Sequence, residues 1–497
     1  MDTETARGGD RDGERGMALV LTMFMVLIVS LVGASAMVTA RSQTLSSLSY
    51  RTAAQSRYAA ESGVHAAINY LMFTYAKPGT AGDPLAAYDL TRTPVSVAGA
   101  DVVLSSDASV AANYPVTGVK DGFNAAAHGT LTIPNSAVSY GAHATLRSMR
   151  QITDAFSGQP VTVQSWEVTG TGTIPGAGSA AVEVSAILEQ QVVPMFRYAA
   201  FATSSGCAAL SFAGGATTDS YDSRAALAGP TPALTSSDGN VGTNGNLDEV
   251  GNPTVIHGAL STPRSGVGKC TDVNVTALTI SGKATVDDGL IELPQNVAYP
   301  TPALPDPLPP TDAVSFKQAT GCPAGVPFCA PSANGATISP ATPASVVTLG
   351  NVDLAAKAQL HLNAGIYVVN SLKMVGNSKL IIDSGPVIFK VVGTDETTPI
   401  DLTGGSVSNP TYKPSDLQFI YGGTGNVRVA GGAEAAELIY APNANTAITG
   451  NADFYGSVVT GILSDTGGTS IHYDRALEKM MLTPGNTVMS QFTWKAF

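Results

Sequence analysis

Charged side chains make up only 13% of this 497-residue sequence and aromatic ones 6%, with two tryptophans. Acidic residues outnumber basic ones, 38 against 26, for a net charge of −12. Binding to a phosphate backbone needs clustered Lys and Arg, and no such cluster occurs, so no nucleic-acid partner is expected. The six histidines (His65, His128, His143, His257, His361 and His472) are scattered, and none forms the helical pair of a metal site. Gly266-Val267-Gly268-Lys269-Cys270 lacks both the spaced first glycine and the Ser/Thr after Lys that a phosphate loop requires. The stretch from Asp238 to Glu249 has the length of a calcium loop, but Gly242 stands at a ligand position and Thr243 replaces the turn glycine. Asp287-Asp288 is the only adjacent aspartate pair, and followed by Gly289 it reads as a turn. The polar run Thr218-Asp219-Ser220-Tyr221-Asp222-Ser223-Arg224 suits a cation, a sugar or a plain corner. No catalytic residue, cofactor or metal is therefore expected.

What the chain has in abundance is glycine, 52 residues, and proline, 30, the profile of a turn-rich β protein. It also has one long apolar run. Met17 to Ala40 carries no charge over 24 residues, about 36 Å as a helix, enough to span a bilayer core with some tilt. Beyond Arg41 the pattern continues at roughly helical spacing (Leu45, Leu48, Ala53, Tyr58, Ala60, Val64, Ala67, Ile68, Leu71, Met72, Tyr75) until Pro78-Gly79 stops it. A single helix over 17–75 is expected, membrane-embedded first and amphipathic after. A cleaved secretory signal would have a shorter apolar core and a basic leader. Here residues 1–15 hold three Arg against five Asp and Glu. A plain signal anchor fits the length, with Arg11 and Arg15 favouring a cytoplasmic N-terminus.

The segment Glu14-Arg15-Gly16-Met17-Ala18-Leu19-Val20-Leu21, the apolar helix, and then Arg57-Tyr58-Ala59-Ala60-Glu61-Ser62-Gly63-Val64 together resemble the N-terminal region of PilX-like minor pilins of type IV pilus systems. The resemblance spans residues 14–75. It implies that 1–16 is a prepilin-type leader, that a prepilin peptidase cuts between Gly16 and Met17, and that the mature helix packs into a filament core. Its implied partners are other pilins, the pilus assembly platform and the inner membrane. One departure is informative: major pilins carry Glu at the fifth mature position, where this chain has Leu21. An unpaired charge in apolar surroundings is costly, and its absence argues against a bulk filament subunit.

Four cysteines, Cys207, Cys270, Cys322 and Cys329, suit two disulfides in an exported chain. Cys322 and Cys329 read as a stapled loop, which by elimination leaves Cys207 for Cys270. Free thiols and a zinc site are the alternatives, the second disfavoured by spacing.

Residues 76–198 read as a small pilin-like β-sheet domain, with strands near 94–97, 101–104, 129–133 and 161–166. A hairpin is expected to join Trp166-Glu167-Val168-Thr169-Gly170 to 180–188 through the Gly- and Pro-containing connector 172–178. From 199 to 480, apolar runs of three to five residues end repeatedly in Gly or Asn, as in Leu360-His361-Leu362-Asn363 and Val387-Ile388-Phe389-Lys390. That texture points to a right-handed β-helix or solenoid, with a β-sandwich as the rival. The stretch around Ile439-Tyr440-Ala441-Pro442-Asn443-Ala444, Phe454-Tyr455-Gly456 and Ile471-His472-Tyr473-Asp474 resembles a β-helical domain found fused to PilX-like N-termini. A Pro-rich segment, 293–312, interrupts the body and should run extended over its surface. Residues 475–481 are expected to cap the last coil and 481–497 to form a tail.

The fold class is thus α+β, mainly β: a long N-terminal helix, a small sheet domain and a solenoid-like domain. The functional expectation is a non-enzymatic minor pilin that takes part in pilus biogenesis. It would cross the inner membrane once, N-terminus cytoplasmic, and then reach the pilus or cell surface, with adhesion to a surface glycan or cell ligand as an added role. The alternative is a membrane-anchored β-solenoid acting on carbohydrate as a lyase or hydrolase, which would need carboxylates and a base converging on one face.

Overall fold

A computed structural model describes residues 12–79, 82–133, 136–154, 160–174, 180–227, 229–251, 254–432, 434–450 and 453–496. The chain forms two compact units, one comprising Met1–Thr153, Gln159–Val192 and Pro484–Phe497, the other Asp154–Gly158 and Val193–Thr483.

The first unit is built on one helix, Asp12–Phe73, of 62 residues. Its end is closed by Thr74 N and Tyr75 N, both donating to Tyr70 O, before Pro78 forbids continuation. The second half of the helix buries Ala60, Val64, Ala67, Ile68 and Leu71, a stripe at three- and four-residue spacing. The stripe faces an antiparallel sheet of Val103–Ser105, Ser136–Thr153, Pro160–Ile174, Ala180–Pro194 and Leu482–Ala496, in that order, with Gly129–Ile133 beside Ser136–Thr153. The expected hairpin is present, pairing Trp166 with Leu188, Val168 with Ala186 and Gly170 with Val184. Residues 175–179 of its connector lie outside the described residues. Two glycines let helix and sheet touch: a Cβ on Gly172 would sit 1.9 Å from Ser56 O, and one on Gly170 2.2 Å from Ala60 O.

Two elements depart from expectation. Ser136–Thr153, an 18-residue strand, is the sheet's longest. Residues 481–497, expected as a tail, instead supply the strand Leu482–Ala496, and Met489 packs on this unit's core. Hydrogen bonding to Ala180–Pro194 satisfies backbone groups that a tail would leave to water.

The second unit is a stack of parallel strands in three ladders. Its shortest coils take about 20 residues, the low end for stacked repeats. One interior column can be followed rung by rung through Val347, Tyr367, Phe389, Phe419, Ile439, Val458, Ala200, Val241, Leu260 and Leu290. Phe389 and Phe419 stack in it with ring centroids 5.2 Å apart. The column is not in chain order. The last coil in sequence, from Asp453–Thr466 and Ser470–Asp474, pairs with the first, from Ala200–Ala202, Leu210–Ala213 and Thr217–Tyr221. The solenoid therefore consists of two runs of coils meeting at an internal seam.

That arrangement requires the Pro-rich segment to travel back along the stack. Asn244 anchors its start, exchanging two hydrogen bonds with the backbone of Val297 (2.9 and 2.8 Å). Further along, the Tyr440 hydroxyl donates to Pro300 O at 2.7 Å, Asn443 to Thr301 at 3.0 Å, and Asn351 N to Asp312 O at 2.8 Å. Residues 297–312 in polyproline geometry reach about 46 Å. Seven rungs of the interior column at ~4.8 Å span about 34 Å, so the strap is long enough. The segment was expected to be extended and superficial, and it is. Gly242, where a Cβ would meet the Phe201 ring at 2.6 Å, leaves room for the aromatic pack of Tyr198, Phe201 and Tyr299.

The capping segment is a short 3-10 helix, Arg475–Lys479, with the Asp474 carboxylate accepting from Ala476 N at 3.0 Å. The last coil exposes no free edge to be covered, because the first coil closes it.

Candidate functional site

The N-terminal helix has two halves with opposite surroundings. Every residue from Met17 to Arg51 is open to solvent, with Leu21 at 66% and Val29 at 68% exposure. No water-soluble fold leaves so many large apolar side chains uncovered; such a surface needs lipid or other protein. Met17–Phe73 is long and apolar enough to cross a membrane. In the second half Arg57 pairs with Glu61 at 2.9 Å on the wet side, opposite the buried stripe. Gly16 and Met17 both lie in the helix, while residues 1–11 of the expected leader fall outside the described residues.

The cysteines form two bonds, Cys207–Cys270 and Cys322–Cys329. The first ties the corner after Ala200–Ala202 to a loop that precedes Leu278–Gly282. The second staples a hairpin, Cys329–Ser332 against Gly335–Ile338, over the far end of the stack, where Cys322, Val326 and Cys329 pack on the core.

The residues singled out for ligand chemistry are dispersed. Glu249, the last position of the calcium-like stretch, points into the solenoid and is wholly buried, whereas Asp238 lies at a corner 3.8 Å from Arg475. The polar run divides: Asp222 and Arg224 pair with each other at 2.6 Å, which holds the Asp222 carboxyl down at about 2. Asp219 instead reaches His472 at 2.5 Å. Asp287 meets His257 at 2.7 Å, and Gly289 takes a left-handed turn with φ of +74°, so the aspartate pair is a corner. Among the described residues no group of three or more His, Cys, Asp or Glu could hold a metal ion.

Two clusters near the seam escaped sequence reasoning. His472, 3% exposed at its side chain, sits between Asp219 of the first coil and Asp453 of its own coil, the latter at 3.3 Å. Burial works against its charge, but the two carboxylates outweigh it and lift the imidazole to about 9. Tyr455 lies over its ring at 4.7 Å, and Tyr412 and Tyr221 close the outside through a hydrogen bond from Tyr221 to Tyr412 O. The other cluster is internal. Asp465 and Glu249 flank Phe212 on neighbouring rungs, and Glu437 lies beside Gly456. All three carboxyls are fully buried, and desolvation raises Glu249 and Glu437 to about 8 and Asp465 to about 7, Thr469 offsetting part of the last. Such residues carry no motif, because only the coil register decides that they face inward.

A long apolar helix whose distal half packs on a small antiparallel sheet is the architecture of a pilin-type subunit. Residues 15–65 match the family PilX N-terminal, so the chain carries the N-terminal region of a PilX-like type IV pilin. Residues 346–480 match a second family, a domain of unknown function (DUF7305), which covers the run of coils from the Val346–Thr348 strand through the seam. Among solved structures, the competence-associated pilin ComZ from Thermus thermophilus aligns over 90% of this chain and 98% of its own at 14% identity. The TM-score is 0.23, too low for a shared overall fold. No curated protein matches the chain.

Proposed function

We propose that this protein is a minor pilin-like component of a type IV pilus system. It enters the inner membrane through residues 17–40 with its N-terminus in the cytoplasm. A prepilin peptidase cuts between Gly16 and Met17, and the assembly platform then moves the subunit among other pilins. The second unit, a β-helix, is carried as an exposed, non-enzymatic head that contributes to biogenesis and adhesion. The observation that carries this reading is the division of the one helix Asp12–Phe73: a bare apolar first half and a second half locked to the first unit's sheet. Leu21 at the fifth mature position favours a minor over a bulk role, since no charge there awaits a neighbour's terminal amine.

Mass spectrometry of the mature N-terminus in membrane and sheared surface fractions tests it. A start at Met17, present in sheared filaments, is expected, and Gly16→Val should leave the leader uncut. An intact Met1 confined to membranes would reduce the protein to an anchored β-solenoid. Adhesion is tested apart, by a glycan array on the full chain in detergent, where silence removes that role alone.

A further inference from the structure

The two ends of the solenoid differ. At one end the Cys322–Cys329 hairpin closes the core. At the other, the strands Leu278–Gly282, Thr285–Val286 and Leu290–Glu292 form the terminal coil, hydrogen-bonded inward to the coil before it. Their outer edge leaves interior-column residues uncovered: Ile280 is 41% exposed and Leu290 38%, with Ile291 at 50% beside them. Stacked-coil proteins normally shield such ends, because an apolar core and a free strand edge together invite pairing.

We infer that this terminal coil is a docking surface for the same coil of a second copy, joined across a two-fold axis through Thr285. Head-to-tail stacking is blocked by the stapled hairpin, so open end against open end is the self-pairing left, an isologous contact. The sequence of the coil is self-complementary in that arrangement. An antiparallel register with Thr285 opposite Thr285 of the second copy sets Ala284 opposite Val286 and Ile280 opposite Leu290. Opposed residues in an antiparallel pair project to the same side, and Ala284, Val286, Ile280 and Leu290 all belong to the interior side of the coil. On the outer side, Lys283 falls opposite Asp287, twice by symmetry, at the corners marked by Gly282 and Gly289 with φ of +80° and +74°. Shifting the register by one residue would set interior positions against outer ones and break both matches. The isolated bridge between Val267 and Leu278 covers the beginning of the edge and limits pairing to residues 280–290. An interface of that size is small, and a Kd on the order of 10–100 µM is expected.

The inference concerns the head alone and does not depend on the pilus reading. Its test is disulfide trapping of the full chain in detergent, which has no free cysteine among its described residues. Thr285→Cys, lying on the axis, should trap a covalent dimer, since opposed antiparallel Cα atoms stand ~4.5–5.5 Å apart, within disulfide reach. Thr279→Cys should not. Sedimentation of variants without an introduced cysteine, the two native disulfides intact, should show Lys283→Glu weakening dimerisation at least tenfold and Lys283→Glu with Asp287→Lys restoring it; Leu290→Lys should abolish it. A monomer at all concentrations, equal trapping at 279 and 285, or a dimer undiminished by Leu290→Lys would each overturn the assignment.

Discussion

Replacing Glu437 by Gln should flatten the acid preference of the solenoid. The Glu437 side chain is wholly buried, neither carboxylate oxygen has a hydrogen-bond partner, and its rung neighbour Gly456 offers no side chain. Desolvation carries its pKa from 4.5 to about 8. The folded state therefore holds the proton more tightly than the unfolded chain. The stability this contributes is fully present below the unfolded value and is lost as pH rises through the folded one. At ~1.4 kcal/mol per pKa unit the loss approaches about 5 kcal/mol, and relaxation or water entry brings it nearer 2–4. Glu249 and Asp465 act with the same sign, over windows ending near 8 and 7. His472, raised to about 9, adds a contribution that also fades as pH rises, from its unfolded range through 9. Glu437→Gln stays neutral at every pH, so it should match wild type near pH 5 and exceed it near pH 8 by about 2–4 kcal/mol, losing a clear part of the slope in between. Both tryptophans lie outside the solenoid unit, so the assay is hydrogen exchange by mass spectrometry on peptides covering Ala436–Thr449 and Leu247–Gly251, with urea, at pH 5, 6.5 and 8. Protection that is flat or rising with pH in the wild type, or an unchanged slope in the variant, would refute the reasoning.

In the first unit, Gly172→Val should cost about 3 kcal/mol or more, because the new Cβ meets the backbone of Ser56, which cannot rotate away. Tryptophan fluorescence melts in detergent report this, and an unchanged midpoint would contradict the close helix–sheet contact. Removing Cys207–Cys270 as a Ser pair should lower solenoid stability by about 4 kcal/mol and removing Cys322–Cys329 by about 2, since the first closes 63 residues and the second seven. Urea titrations of both variants by far-ultraviolet circular dichroism check the order. Removing the short staple should in addition open the far end of the stack to proteolysis within 317–332.

The helix was legible because its signals are local: an uncharged run of membrane length, a continued spacing, and a proline stop. The solenoid texture was legible for the same reason, each short strand carrying its own Gly or Asn. Ser136–Thr153 was not, because the buried side of its alternation includes Ala142 and Ala144, which contrast little with the exposed serines and threonines. Glu249 misled for a related reason. Sequence spacing placed it in a loop, while the coil register, set by Leu247 opposite Leu210, turns it into the core.

The seam lay furthest from reach, and the physics of a parallel ladder explains why. Such a ladder asks only that adjacent strands match in register and that interior columns stay apolar; it does not ask that adjacent coils be consecutive in sequence. Nothing near Ala200 indicates that its rung partner is Val458. The one local trace is the strap. A polyproline segment of this length is superfluous in a chain whose coils follow one another, since a corner of a few residues would join them. Its length becomes necessary once the second run of coils must begin at the far end and wind back to meet the first. The Asn244–Val297 and Tyr440–Pro300 hydrogen bonds fix the path. The strap thereby commits the chain to one stacking order, with the ion pair of His472 and Asp219 closing the joint.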